Sequence, residues 1–242
     1  MRITFLLFFV FAAMSSFSQP VDSLNSKKIT ASGSFSINSN GVASVPAFTL
    51  GDPAFITSVS IAKGRFSYDP VLGYGLDLKP WFLDNWLHYK FIARPIFEMR
   101  AGFNYSTFFS EYKLPDETIL QGQRYFAFAL EAFYTFKPEH TLQFAYWNDR
   151  GQEPGTIKGH FLSVTGERTE IEVAKNMMLS VGLQLFYINY TAENDGLFIA
   201  PKASAALKNI PLLLYFQGIQ AITSNIEPFP GFNWNVGIAY VL

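Results

Sequence analysis

Phe232-Asn-Trp-Asn-Val-Gly-Ile-Ala-Tyr-Val-Leu242 alternates without a break: Phe232, Trp234, Val236, Ile238, Tyr240 and Leu242 fall on one face, and Asn233, Asn235, Gly237, Ala239 and Val241 on the other. Successive side chains of a strand point to opposite sides, so a period of two sorts these residues into an apolar face and a small or polar face. A strand that crosses a bilayer needs about nine to eleven residues with this division, apolar toward lipid and small or polar toward a lumen. The segment has both the length and the division.

The same period recurs through most of the chain, and no long segment keeps an apolar stripe at helical spacing. Phe97, Met99, Ala101, Phe103 and Tyr105 oppose Glu98, Arg100, Gly102, Asn104 and Ser106. Leu179, Val181, Leu183, Leu185 and Tyr187 oppose Ser180, Gly182 and Gln184, and Leu142, Phe144 and Tyr146 oppose Thr141, Gln143 and Ala145. A slip by one residue would carry charges into the apolar face, so these registers are strongly specified.

The reading gives an all-β chain of about twelve strands, near 29–38, 54–62, 65–79, 84–92, 96–108, 123–136, 140–148, 158–173, 177–191, 196–207, 211–223 and 232–242. Ten or fourteen strands stay open, because 54–79 and 158–173 are hard to divide. Tight links fall at Lys63-Gly64, Ala93-Arg94-Pro95, Lys137-Pro138-Glu139, Ala174-Lys175-Asn176 and Asn209-Ile210; longer ones fall near 39–53, 80–83, 109–122, 149–157, 192–195 and 224–231. Even strand number and alternating link length both predict a transmembrane antiparallel up-and-down β-barrel, short turns to the periplasm and long loops outside. Two stretches resist the pattern. Residues 211–220 are apolar on both faces, and 167–173 carry too much charge for lipid, which predicts that part of them lies beyond the membrane edge.

Composition agrees with a membrane barrel. Aromatics are 17% of residues, with 26 Phe and 12 Tyr, and charged residues only 15%, against roughly 25% in ordinary soluble domains. A formal net charge of −1 excludes the concentrated basic face that nucleic-acid binding needs. Residues 1–18 carry an apolar run from Ile3 to Met14 and small residues Ser16 and Ser18 before Gln19, the pattern of a cleaved signal peptide; residues 19–242 then form the barrel. The sequence has no cysteine, so neither a disulfide framework nor a lipidated cysteine is available.

Alternation alone does not distinguish a membrane barrel from a soluble one, which exchanges inside for outside. The polar face decides: it is mostly Ser, Gly, Ala, Asn, Thr and Gln, where a water-facing surface would be rich in Lys, Glu and Asp. Trp86, Tyr89, Phe91, Tyr187, Trp234 and Tyr240 are expected on the outer face as aromatic girdles.

On these residues the chain resembles the small outer-membrane β-barrel proteins of the Bacteroidota. The carriers are Ile29-Thr-Ala-Ser-Gly-Ser-Phe-Ser-Ile-Asn38, the corner Lys79-Pro-Trp-Phe-Leu-Asp-Asn-Trp86 and the ending from Phe229 to Leu242. The resemblance implies an outer-membrane location and a porin-like barrel, with outer-membrane lipid as its surroundings and the barrel-assembly machinery as its partner during insertion. It implies no activity. The last residue, Leu242, replaces the terminal Phe common in other barrels.

Parity places Asp77, Lys79, His88, Lys90, Glu98, Arg100, Asn104, Glu131, Gln143 and Lys202 on the lumen side, where ionisable groups at membrane depth pair with one another. A three-residue turn at Ala93-Arg94-Pro95 makes opposed residues sum to 188, which pairs Lys90 with Glu98 and His88 with Arg100. The lining then either admits a polar solute or neutralises itself and fills the lumen. His88, His140 and His160 form no nucleophile–base arrangement, so no catalytic residue is assigned. No spaced ligand set suggests zinc, and no cofactor is expected. The acids Asp116-Glu117, Asp149 with Glu153, and Glu193 with Asp195 read as solvated loop charge rather than calcium sites. The expectation is a passive pore or small transport component for polar solutes, with a closed structural or partner-binding barrel as the alternative and an outer-membrane lipid-modifying enzyme third. Oligomeric state is not encoded in these patterns.

Overall fold

The computed structural model describes residues 28–191, 194–226 and 231–242; the signal segment 1–18 and its cut lie outside the described residues, as do Glu193 and the first two residues of the 229–242 ending. Twelve antiparallel strands, each bonded to its sequence neighbours, form one closed barrel. They are β1 (Thr30–Asn38), β2 (Ala54–Lys63), β3 (Phe66–Gly75), β4 (Pro80–Arg94), β5 (Phe97–Lys113), β6 (Thr118–Lys137), β7 (His140–Gly151), β8 (Lys158–Ala174), β9 (Met177–Thr191), β10 (Asn194–Leu207), β11 (Leu212–Ser224) and β12 (Phe232–Val241). No helix among the described residues is long and apolar enough to cross a membrane.

Closure rests on a short seam. β1 and β12 pair over five positions, from Ser34 opposite Val241 to Asn38 opposite Gly237, and backbone bonds from Leu242 N to Gly33 O and from Ser39 N to Val236 O continue it at both ends. Behind the seam sits a polar clasp: Asn235 Nδ2 donates to Asn38 Oδ1 at 2.8 Å, Tyr215 Oη donates to the same oxygen, and Asn38 Nδ2 donates to Ser36 Oγ at 3.0 Å. Gly237 permits this, because a Cβ there would meet the Tyr215 ring at 2.4 Å.

The two faces divide as the alternation requires. Leu87, Phe128, Phe144, Leu183, Leu214 and Trp234 are exposed on the outside, while Ser36, Asn38, Asp84, Asn104, Glu131, Ser163 and Asn235 are buried. This is the inverse of a soluble barrel, and an apolar surface of such extent marks a face that meets something other than water. The ambiguous segment on β11 resolves the same way: Leu212, Leu214 and Phe216 are exposed, and Ile219 is fully buried. The charged end of β8 carries register shifts between Arg168 and Ile171 and between Glu172 and Ala174.

Three sequence expectations are corrected. Trp86 is not in an outer girdle: it is buried and stacks on His88 at 5.3 Å, as it must, since it shares His88's parity on one strand. The long link expected at 80–83 is the turn 76–79 before β4, and the link expected at 109–122 shrinks to 114–117, because β5 and β6 remain paired out to Lys113 opposite Thr118. Residues 112–122 are exposed on both faces, so this part of the ribbon stands clear of the barrel.

The connection 39–53 is no free loop. Ala43 N bonds Phe48 O, Phe48 N bonds Val45 O, Leu50 N bonds Gly41 O, and Val42 bridges Thr49, a small hairpin whose turn places Pro46 where φ near −65° is favoured. It folds inward: Val42, Val45 and Phe48 pack with Phe161, Phe186, Ile188, Tyr190, Phe198 and Ile219.

Leu183 faces out near the middle of β9. A Leu183→Arg substitution is expected to lower barrel stability by about 2–4 kcal/mol at bilayer mid-depth, read by denaturant titration in lipid vesicles; an unchanged midpoint would place this face away from hydrocarbon.

Candidate functional site: the barrel lumen

β4 supplies the spine of the interior. Asp84, Trp86 and His88 occupy alternate positions and all three are buried, with Lys90 next in the series. His88 fits beside β5 because its neighbour is Gly102, where a Cβ would lie 2.8 Å from the ring. The β4–β5 register pairs His88 with Gly102 and Lys90 with Arg100, then shifts between Lys90 and Ile92 so that Ala93 meets Glu98. The expected register is therefore wrong: the turn is Pro95-Ile96 rather than three residues, and a bulge absorbs one residue above it.

That register puts two cations opposite each other, an unfavourable placement, and each turns to a carboxylate. Lys90 Nζ reaches Glu98 Oε2 at 3.0 Å, the expected ion pair reached diagonally. Arg100 Nε donates to Glu131 Oε2 at 2.5 Å, from the position directly opposite on β6. Glu131 also accepts from Trp147 Nε1 at 3.3 Å, and His88 Nε2 lies 3.9 Å from it. The other ring nitrogen of His88 lies 2.6 Å from Asp69, which accepts as well from Ser60 and Ser67 hydroxyls. His88 thus has carboxylates at both nitrogens and no hydroxyl bonded to it, so the cluster neutralises charge and presents no nucleophile–base pair.

The remaining predicted residues spread further. Asp77 and Lys79 belong to the 76–79 turn, exposed at the rim, with Lys79 paired to Asp77 at 3.2 Å and to Glu111; they line no part of the lumen, because β3 ends at Gly75. Asn104 is buried, accepting from Asn85 N at 2.8 Å. Gln143 is half-buried on β7 opposite Phe133 and Thr165. Lys202 lines a cavity with its Nζ 6.0 Å from the Tyr215 ring centre, and has no carboxylate partner among the described residues.

Among the described residues, two cavities inside the barrel share no lining residue. The larger, about 670 Å³, runs from Ser32 and Leu242 at the short-turn end to Val42 of the inward hairpin; Ser34, Ser36, Ser58 and Ser60 furnish hydroxyls, His88 an imidazole, and Asp69, Arg100 and Lys202 the charges. The smaller, about 230 Å³, lies beyond Trp86 toward the long loops. Between them Trp86 packs on Trp147 at 5.0 Å and Trp147 on Phe161 at 4.8 Å. Sequence reading missed Asp69 and Asp84 and set Asp149 in a loop; Asp149 belongs to β7 and lines the smaller cavity. Asp84's parity with His88 carried the missing signal, as did the apolar content of 39–53, with Val42, Val45, Phe48 and Leu50.

Comparison with known proteins follows the fold. No protein-family model and no curated protein sequence matches the chain. Among solved structures it is similar to the KdgM porin in complex with disordered oligogalacturonate, at TM-score 0.56 and 11% identity over 86% of this chain and 98% of that one. The KdgM porin by itself gives 0.55 at the same identity and coverage, 11%, 86% and 98%. The COG4313 outer membrane channel from Pseudomonas putida F1 gives 0.51 at 10% identity over 93% and 99%. At such identities the likeness is one of fold: a closed antiparallel barrel of the outer-membrane type.

Arg100→Ala leaves Glu131, 3% exposed, without its cation, and is expected to cost about 3–5 kcal/mol. Lys90→Ala, at a half-exposed pair, is expected to cost about 1 kcal/mol or less. Urea unfolding in micelles compares them, and equal losses would refute the distinction. In the 152–157 connection, Arg124 Nε and backbone N donate to the Glu153 carboxylate at 2.6 and 2.7 Å, and the side-chain bond first, then the backbone bond, holds its pKa below the ordinary carboxylate range. The folded value being depressed, the contribution is complete above that range and disappears as pH falls through the lowered value. Amide exchange at Gln152 and Thr156 is expected to quicken only on that acid side.

Proposed function

We propose that this chain is a passive outer-membrane channel for small polar solutes, directed there by a cleaved signal peptide at 1–18, and narrowed by its inward 39–53 hairpin. The 670 Å³ cavity carries the reading. Its serine hydroxyls can exchange hydrogen bonds with a solute that sheds water, at little net cost. The Lys90–Glu98 and Arg100–Glu131 pairs beside it cancel, so within this cavity neither sign of solute meets a strong barrier. The fold likeness to porins supports the reading as analogy. The finer placement among small Bacteroidota barrels rests on the Ile29–Asn38 and Lys79–Trp86 segments. Outer-membrane lipid and, during insertion, the barrel-assembly machinery are the partners this reading supplies.

A second reading has its own support. Val45, Phe161, Phe186, Ile188, Phe198 and Ile219 form an apolar core inside one end of the barrel, which suits a closed barrel with a structural or partner-binding role. Planar-bilayer recording separates the two. The wild type is expected to give small ohmic steps, and replacing Ala43–Phe48 by Gly-Gly across the Val42–Thr49 bridge to raise them several-fold. Silence in both, with the folded barrel verified by heat-dependent gel mobility, would favour the closed barrel.

A further inference from the structure

The smaller cavity has a different chemistry from the larger one. Its walls are aromatic, with the rings of Trp86, Trp147, Tyr125 and Tyr190, and its charges are both negative, Asp84 and Asp149; no Lys, Arg or His lines it. Buried carboxylates without a counter-charge are costly, so the partners of each one matter. Asp84, 3% exposed, accepts from Ser44 Oγ at 2.6 Å and Asn104 Nδ2 at 3.4 Å. Asp149 accepts no hydrogen bond from any described side chain. Tyr190, only 7% exposed, has a hydroxyl with no hydrogen-bond partner. Its ring reaches this position because β8 offers Gly159, where a Cβ would lie 2.7 Å from Tyr190 Cδ1.

These features define what is missing. Two ionised carboxylates accept only, and a phenol donates or accepts, so the complement to that state is a group with several N–H donors and a positive charge. Aromatic faces add cation–π attraction for the same charge. A hard metal ion would instead want six or more oxygens, and these walls are largely carbon. About 230 Å³ lies just under the usual range of small-molecule sites, which limits the occupant to a small one.

We propose that this cavity binds a small organic cation, an ammonium group on a compact apolar body, with Asp84 and Asp149 as its counter-charges, Tyr190 as a polar contact and Trp86 and Trp147 as its walls. The site needs only the inside–outside assignment of the barrel and stands whether or not the barrel conducts. Ser44, Val45 and Phe48 of the hairpin help wall it, so in a conducting barrel it would hold a cation at the constriction, on its long-loop side.

Because two tryptophans form the walls, their fluorescence reports occupancy. The whole mature chain, folded in detergent at neutral pH, is titrated with benzylamine, which is protonated there, and in parallel with benzyl alcohol, benzoate and calcium chloride. A saturable change with benzylamine, at least tenfold weaker with benzyl alcohol and absent with benzoate, is expected. Asp149→Asn has no hydrogen bond to lose, so it should fold, and it is expected to weaken benzylamine at least tenfold; Asp84→Asn is the second variant. Equal response to benzyl alcohol would reduce the site to an apolar hole. Displacement of benzylamine by equimolar calcium would make it a metal site. Unaltered affinity in Asp149→Asn, or no saturation in the wild type, would overturn the proposal outright. Silent bilayers with saturable binding would instead count against conduction alone.

Discussion

Backbone N–H and C=O groups inside a bilayer find no water, so each must be paired within the protein, and for strands that requires a sheet with no edge. Here the requirement converges on the β1–β12 seam. Its five register pairs are the fewest between any neighbouring strands, and the Asn38–Asn235–Tyr215 clasp behind it supplies side-chain bonds of about 1 kcal/mol net each. Once the ring is closed, every residue acquires a side. Apolar residues of one parity meet lipid, those of the other enclose an interior, and the interior must settle its own charges.

Those charges settle by pairing in layers along the axis. Lys90 with Glu98, Arg100 with Glu131 and His88 with Asp69 occupy the level beside the serine-lined cavity. Above them lies a sheet of rings, Trp86 on His88 and Trp147 on Phe161, and beyond it two carboxylates without a cation. The asymmetry is physical: below the rings each acid has a base one strand away, while above them Asp84 relies on a serine and an amide and Asp149 on nothing described. One barrel thus holds a balanced compartment and an unbalanced one, with the hairpin from 39–53 between them.

Much of the fold was legible in the sequence because a period of two leaves little freedom. Strand 177–191, and the course of 140–151 as far as 148, follow directly from which residues tolerate lipid. What alternation does not encode is register across a turn. The Lys90–Glu98 pair exists, yet it arises from a bulge at Lys90 that no local pattern announces. Alternation is silent, too, on what a loop does after leaving the sheet: Val42, Val45 and Phe48 look like loop residues until the interior they fill is known. Trp86 and Asp149 were readable and were misplaced, the first by weighting residue type over the parity it shares with His88, the second by ending a strand at the first charge.

The β5–β6 ribbon carries a consequence of another kind. Its outer residues, 112–122, are exposed on both faces, so neither barrel closure nor the interior constrains their identity. The connection at Leu114–Glu117 is the natural place to graft a foreign peptide: strand pairing holds the stalk upright while the tip is rewritten, which makes the fold a scaffold for presenting an added segment away from the barrel wall.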